Sequence, residues 1–128
     1  MRTAYLDNSA TTPVCEAAAD AAREAMLFHY GNPSSLHSLG VEAEAIVDTA
    51  RRTLAGCLGA QKREIIFTSC GTEANNLALF GASQALRRRG NRIVVSSVEH
   101  PSVARAADEL EQRGFEVVRL PVGPDGVV

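Results

Sequence analysis

The pattern of hydrophobic and polar positions predicts helices that alternate with short strands. Apolar residues recur at helical spacing in four segments, at about 14–29, 41–58, 72–89 and 101–113. Short segments with apolar β-branched or aromatic residues, which are typical of buried strands, lie at 64–68, 92–96 and 115–120. Because strands joined by helices usually pair in parallel, residues 60–128 predict the start of a βαβαβ core. Residues 1–13 are predicted to form a leading loop segment, and residues 14–59 are predicted to form a helical part.

The turn around Gly71 and Thr72, after the first predicted strand, is a candidate anion site. A helix start has backbone N–H groups without intrahelical partners and the positive end of the helix dipole, which together favour a bound phosphate. His100 follows the second strand and also lies at a helix start. Ligands of parallel sheets gather at the carboxyl ends of the strands, so Thr72 and His100 are predicted to face one ligand if the two preceding strands are neighbours. The alternative at each position is ordinary helix capping.

Composition narrows the class of protein. The 128 residues are 45% hydrophobic and 22% charged, with a formal net charge of −2, as in a single soluble globular domain. The absence of a basic excess argues against a nucleic-acid partner. No apolar segment has the pattern of a secretory signal or the length of a membrane span, so we expect a cytoplasmic protein without a membrane partner. Three cysteines at unrelated spacings predict neither a disulfide framework nor a metal site.

Four stretches of the chain resemble the N-terminal part of the nif- and isc-type cysteine desulfurases. These are fold-type-I pyridoxal-phosphate enzymes of the class V aminotransferase-like group. The stretches are YLDNSATTP at 5–13, GNPSSLHSLG at 31–40, FTSCGTEANN at 67–76 and SSVEHPSV at 96–103. They occur in the family's order and at its spacing. The resemblance implies an α/β fold of three αβα layers around a mostly parallel sheet, present here only in part.

The resemblance also implies an activity and a set of binding residues. The cofactor is pyridoxal 5′-phosphate, and the substrate L-cysteine becomes L-alanine while its sulfur passes to an enzyme cysteine as a persulfide, for iron–sulfur cluster assembly or other sulfur transfer. Gly71 and Thr72 match the positions that bind the cofactor phosphate. His100 matches the histidine that stacks on the cofactor ring and assists proton transfers. The implied partners are a second copy in a homodimer and a sulfur-acceptor or scaffold protein.

Some family residues have no match in this chain. The Schiff-base lysine, the aspartate at the ring nitrogen and the nucleophilic cysteine match positions beyond 128, so we expect a fragment that is inactive alone. Lys62 is the only lysine and is expected on the surface. Cys15, Cys57 and Cys70 do not match the nucleophile, although a nearby helix start can lower a thiol pKa. Two alternatives stay open: a non-catalytic αβ module for a partner subunit or anionic ligand, and another fold-type-I enzyme such as a selenocysteine lyase.

Overall fold

The computed structural model describes residues 3–128, and the chain divides into an N-terminal unit, Met1–Ile65, and a C-terminal unit, Ile66–Val128. The N-terminal unit contains helix α1 (Glu16–Phe28), helix α2 (Ser38–Leu58) and a 3₁₀ helix (Lys62–Glu64). The C-terminal unit contains helix α3 (Gly71–Leu86), strand β1 (Arg92–Ser96), helix α4 (Pro101–Gln112) and strand β2 (Glu116–Leu120). No helix in the described range is long and apolar enough to cross a membrane.

The N-terminal unit buries only small side chains among its described residues. Helix α1 has no buried residue, and α2 buries Gly40, Ala43 and Ala55. Helix α2 ends as predicted at Gly59, whose φ of 63° lies in the left-handed region that favours glycine. The chain reverses direction after Gly59, and the Ala60 N–H donates to the Ala55 carbonyl at 2.9 Å.

The C-terminal unit has its core around α4. Strands β1 and β2 are parallel, with Arg92 opposite Glu116 and Ser96 opposite Leu120, and α4 connects them and packs on both. The buried positions of α4 fall on one helical face and are Ser102, Ala106, Ala107 and Leu110. Gly114, at a φ of 86°, ends the helix in a Schellman turn, in which the Phe115 N–H donates to the Leu110 carbonyl at 3.1 Å. Phe115 is thereby buried directly before β2.

The prediction of a strand at 64–68 is wrong. Residues 62–64 form the 3₁₀ helix, and residues 65–68 have no regular secondary structure. The Ile65 N–H donates to the Lys62 carbonyl at 3.2 Å, and its carbonyl accepts from Arg51 Nε at 3.2 Å. Both backbone groups of Ile65 are therefore engaged locally or by a side chain, instead of in a strand ladder. The described C-terminal unit is a helix followed by one βαβ unit, where the pattern predicted βαβαβ.

The remaining boundaries differ by a few residues. Helix α2 begins at residue 38, before the predicted 41, because His37 caps it. Helix α3 begins at residue 71 and ends at residue 86, and the predicted last turn at 87–89 is a hydrogen-bonded turn instead. Strand β1 spans the predicted 92–96, and β2 begins one residue after the predicted start at 115.

Candidate functional site

The start of α3 combines backbone donors with the hydroxyl of Thr72. Cys70 is the N-cap, so Gly71 and Thr72 occupy the first two helical positions, where N–H groups lack intrahelical acceptors. A Cβ placed on Gly71 would meet no atom within 4 Å, so this side of the helix start is uncrowded. Thr72 is exposed and brings a hydroxyl to the same turn. Together these groups are suited to an anion such as a phosphate.

A carboxylate already lies beside this helix start. Glu73 accepts from the Ser69 backbone N–H and from the Ser69 hydroxyl, both at 2.7 Å. The hydroxyl first, and the backbone N–H second, hold the pKa of Glu73 below its ordinary value. The ionised carboxylate stabilises the helix start and opposes a second anion nearby, but its hydrogen bonds come from Ser69 and not from the N–H groups of Gly71 and Thr72.

Cys70 is exposed at the N-cap of α3. Its thiol completes no capping hydrogen bond. The Glu73 N–H first, and the Ser69 hydroxyl at 3.8 Å from the sulfur second, nevertheless hold the pKa of the thiol below its ordinary value, because both favour the thiolate. The Glu73 charge acts in the opposite direction and limits this effect.

His100 caps α4, which is the helix-capping alternative predicted for this position. Its Nδ1 accepts from the Ser102 backbone N–H at 3.1 Å and lies 2.8 Å from the Ser102 hydroxyl oxygen. Pro101 follows at the first helical position, where its missing N–H has no consequence. Capping engages one ring nitrogen of His100, and the side chain is exposed beside a cavity.

The structure brings Thr72 and His100 to one cavity of about 430 Å³ between α3 and α4. Gly71 adjoins Thr72 but is not part of the lining. Both helices contribute a row of side chains spaced four residues apart, and the two rows are Thr72, Asn76 and Phe80 on α3, and Pro101, Arg105 and Glu109 on α4. Sequence reasoning named the first residue of the α3 row and missed the rest. The missed signal is the i, i+4, i+8 spacing from Thr72 and Pro101, which places each row on one helix face.

Lys62 is a surface residue, as predicted. Its Nζ forms an ion pair with Asp48 Oδ1 on α2, and about half of its side chain is exposed. It belongs to the N-terminal unit, whereas the cavity belongs to the C-terminal unit. Within residues 3–128, no group of three or more acidic, histidine or cysteine side chains is arranged to hold a metal ion.

Comparison with known proteins decides the family. Residues 4–128 match the family model described as aminotransferase class-V. The chain belongs to the class-V aminotransferase family. A class-V relative from Lactobacillus delbrueckii subsp. bulgaricus, named NifS/IcsS protein homolog, is 47% identical over 124 residues, which cover 97% of this chain and 32% of the relative. The cysteine desulfurase IscS of Dictyoglomus turgidum is 42% identical over 127 residues, which cover 99% of this chain and 32% of the relative.

A solved structure supports the same placement within the class-V family. The structure described as "SspA in complex with cysteine" superposes with a TM-score of 0.80 at 33% identity, over 92% of this chain and 34% of that chain. The predicted resemblance and the partial α/β fold class are confirmed. The class-V chain described here spans about a third of the length of the curated relatives it matches.

Proposed function

We propose that this class-V protein acts in cysteine desulfuration and that its C-terminal unit binds pyridoxal 5′-phosphate. The observation that carries the proposal is the cavity shared by Thr72 and His100. Similarity to proteins named cysteine desulfurase supports the choice of reaction, and the structure of a relative described in complex with cysteine supports L-cysteine as the substrate.

The residues present fit the phosphate and ring of this cofactor. The space beside Gly71 is open, so a phosphate can approach the first-turn N–H groups closely. The Thr72 hydroxyl makes no hydrogen bond within the described residues and is available to the same anion. His100 adds a planar imidazole ring to the cavity lining. The donor set therefore matches an anionic ligand with an aromatic body.

When bound, pyridoxal phosphate withdraws electrons from the carbon of the substrate that reacts. In this proposal, Gly71 and Thr72 hold the phosphate, and His100 stacks on the ring and moves a proton. The overall reaction converts L-cysteine and an enzyme thiol into L-alanine and an enzyme persulfide. We assign no step to Lys62 because it pairs with Asp48, and none to the three cysteines. The homodimer, the sulfur-acceptor or scaffold protein and the cytoplasmic location remain part of the proposal.

Phosphate recognition can be tested without any covalent anchor. Pyridoxine phosphate lacks the reactive aldehyde, so calorimetry with it measures non-covalent binding alone, and pyridoxine without phosphate is the matched ligand. We expect binding that depends on the phosphate. Thr72→Val should weaken it about 10-fold to 100-fold, since a hydrogen bond to a charged group is lost. Thr53→Val is the control, because the Thr53 hydroxyl bonds the Thr49 carbonyl on α2. Equal binding of both ligands would refute the phosphate site.

The reaction itself is tested on the protein as its gene encodes it. L-Cysteine with added pyridoxal phosphate should yield alanine and, with a thiol reductant, sulfide in equal amounts. Faster turnover of selenocysteine than of cysteine would favour the selenocysteine lyase alternative. Cofactor binding without turnover of either amino acid would favour a non-catalytic module.

A further inference from the structure

We propose that Asn75 and Ser102 are positioning residues that hold the His100 imidazole in one orientation and in one tautomer, with the proton on Nε2. The catalytic consequence of this positioning rests on the function proposed above. The geometry itself concerns only this chain, and it joins α3, the start of α4 and the cavity through three side chains.

The three side chains form a continuous hydrogen-bonded chain. Asn75 Nδ2 on α3 donates to Ser102 Oγ on α4 at 2.9 Å. Ser102 Oγ in turn lies 2.8 Å from His100 Nδ1. Ser102 is only 8% exposed and is the one buried polar residue within the described part of the chain. A buried hydroxyl is costly unless it is fully paired, and these two partners satisfy it.

The direction of these bonds decides the tautomer. A backbone N–H can only donate, so the bond from the Ser102 N–H at 3.1 Å requires an unprotonated Nδ1. Because Asn75 donates to Ser102 Oγ, the hydroxyl proton is left to point at the same Nδ1. Two donors then share one ring nitrogen. A neutral imidazole with an accepting Nδ1 carries its proton on Nε2.

His37 shows what a capping histidine looks like without this support. It caps α2 in the N-terminal unit, and its Nδ1 accepts from the Gly40 N–H at 3.4 Å. No hydroxyl contributes to that cap among the described residues. A role in capping alone therefore explains the backbone bond to His100, but not the Asn75–Ser102 chain that reaches it from a second helix. The additional chain fixes the ring that borders the cavity.

The tautomer can be read directly by NMR of the protein as its gene encodes it, labelled with ¹⁵N in histidine and without cofactor. Long-range ¹H–¹⁵N correlations of the imidazole distinguish a protonated Nε2 from a protonated Nδ1. We expect the neutral His100 ring as Nε2–H alone, and a His100→Gln variant assigns its signals. A protonated Nδ1, or an even mixture of tautomers, in the unmodified protein would overturn the proposal without any variant at Ser102.

Variants then separate positioning from simple stability. Ser102→Ala and Asn75→Ala both keep the backbone N–H that donates to Nδ1, so we expect Nε2–H to stay the main tautomer while a measurable share of Nδ1–H appears. We also expect about a 3-fold to 10-fold loss of the alanine-forming kcat, the effect of one lost hydrogen bond. Ser102→Thr keeps the hydroxyl and should restore both readouts. Ser83→Ala, on α3 outside this cavity, is the control. Unchanged tautomer and kcat in both alanine variants would refute the role.

These outcomes are distinct from failure of the proposed function. If the unmodified protein binds no pyridoxine phosphate but shows His100 as Nε2–H, the cofactor assignment fails and the positioning geometry stands. If it binds the ligand but shows a protonated Nδ1, the positioning proposal alone fails.

Discussion

The two units of the chain use similar apolar patterns with different results. The N-terminal unit has two amphipathic helices, yet large side chains such as Phe28, Leu36 and Leu58 are mostly exposed. The C-terminal unit packs α4 against both strands and against α3, and it fully buries Leu110. The difference teaches that an apolar stripe becomes a core only where a second element covers it. The candidate site lies in the unit with the better core, which suits a cavity that must keep its shape.

The variant with the largest expected effect on stability, and so the strongest test of this difference between the units, is Leu110→Ala. Leu110 is 0% exposed, so truncation removes buried apolar contacts and leaves a cavity. We expect the free energy of unfolding, measured in urea, to fall by about 2–5 kcal/mol. Leu58→Ala is the matched variant in the N-terminal unit, because Leu58 is 71% exposed. Its effect should stay within about 0.5 kcal/mol. Equal losses in the two variants would remove the distinction between the units.

A second test asks whether the N-terminal unit has any tightly packed point. A Cβ on Gly40 would overlap the Ser35 carbonyl oxygen and lie 2.8 Å from the Asn32 carbonyl oxygen. Since both are backbone atoms that move little, Gly40→Ala should destabilise the protein by about 1–3 kcal/mol in thermal or urea unfolding.

Gly56→Ala is the control for Gly40→Ala in the same helix. A Cβ there meets no atom within 4 Å, so the substitution should stabilise the protein by about 0.5–1 kcal/mol through helix propensity. Stability changes of the same sign at both glycines would contradict the packing around Gly40.

The smallest expected effect concerns the ion pair between Asp48 on α2 and Lys62 in the 3₁₀ helix. The side-chain hydrogen bond from Lys62, and then nearby cationic charge, hold the pKa of Asp48 below its ordinary value. Because the pKa of Asp48 is lower in the folded state than in the unfolded state, the ionised carboxylate stabilises the folded protein when the pH is above the ordinary pKa. This contribution is lost as the pH falls through the lowered, folded-state pKa. Unfolding midpoints of the unmodified protein and of Asp48→Asn should therefore converge in acid. A gap between them that widens as the pH falls would contradict the ion pair.

Local sequence was sufficient where short-range chemistry sets the structure. Gly59 and Gly114 end helices because glycine readily adopts the left-handed conformation. Pro101 begins α4 because its fixed φ suits a helix and its missing N–H has no intrahelical partner at that position. The strands at 92–96 and 116–120 followed from their apolar runs. The segment at 64–68 is also apolar at its centre, but a strand exists only through hydrogen bonds to a neighbour, and Ile65 makes its bonds elsewhere.

By itself, the sequence determined the family, the order of most elements and two helix starts, each with a residue suited to an anion or an aromatic ring. It also predicted that Thr72 and His100 face one ligand. Only the tertiary structure decided that the shared cavity lies between α3 and α4, and that Ser102 links Asn75 to His100 across these two helices. The physical reason is distance along the chain. Caps and turns depend on residues a few positions apart, whereas this site joins side chains about 27 positions apart through the packing of α3 on α4.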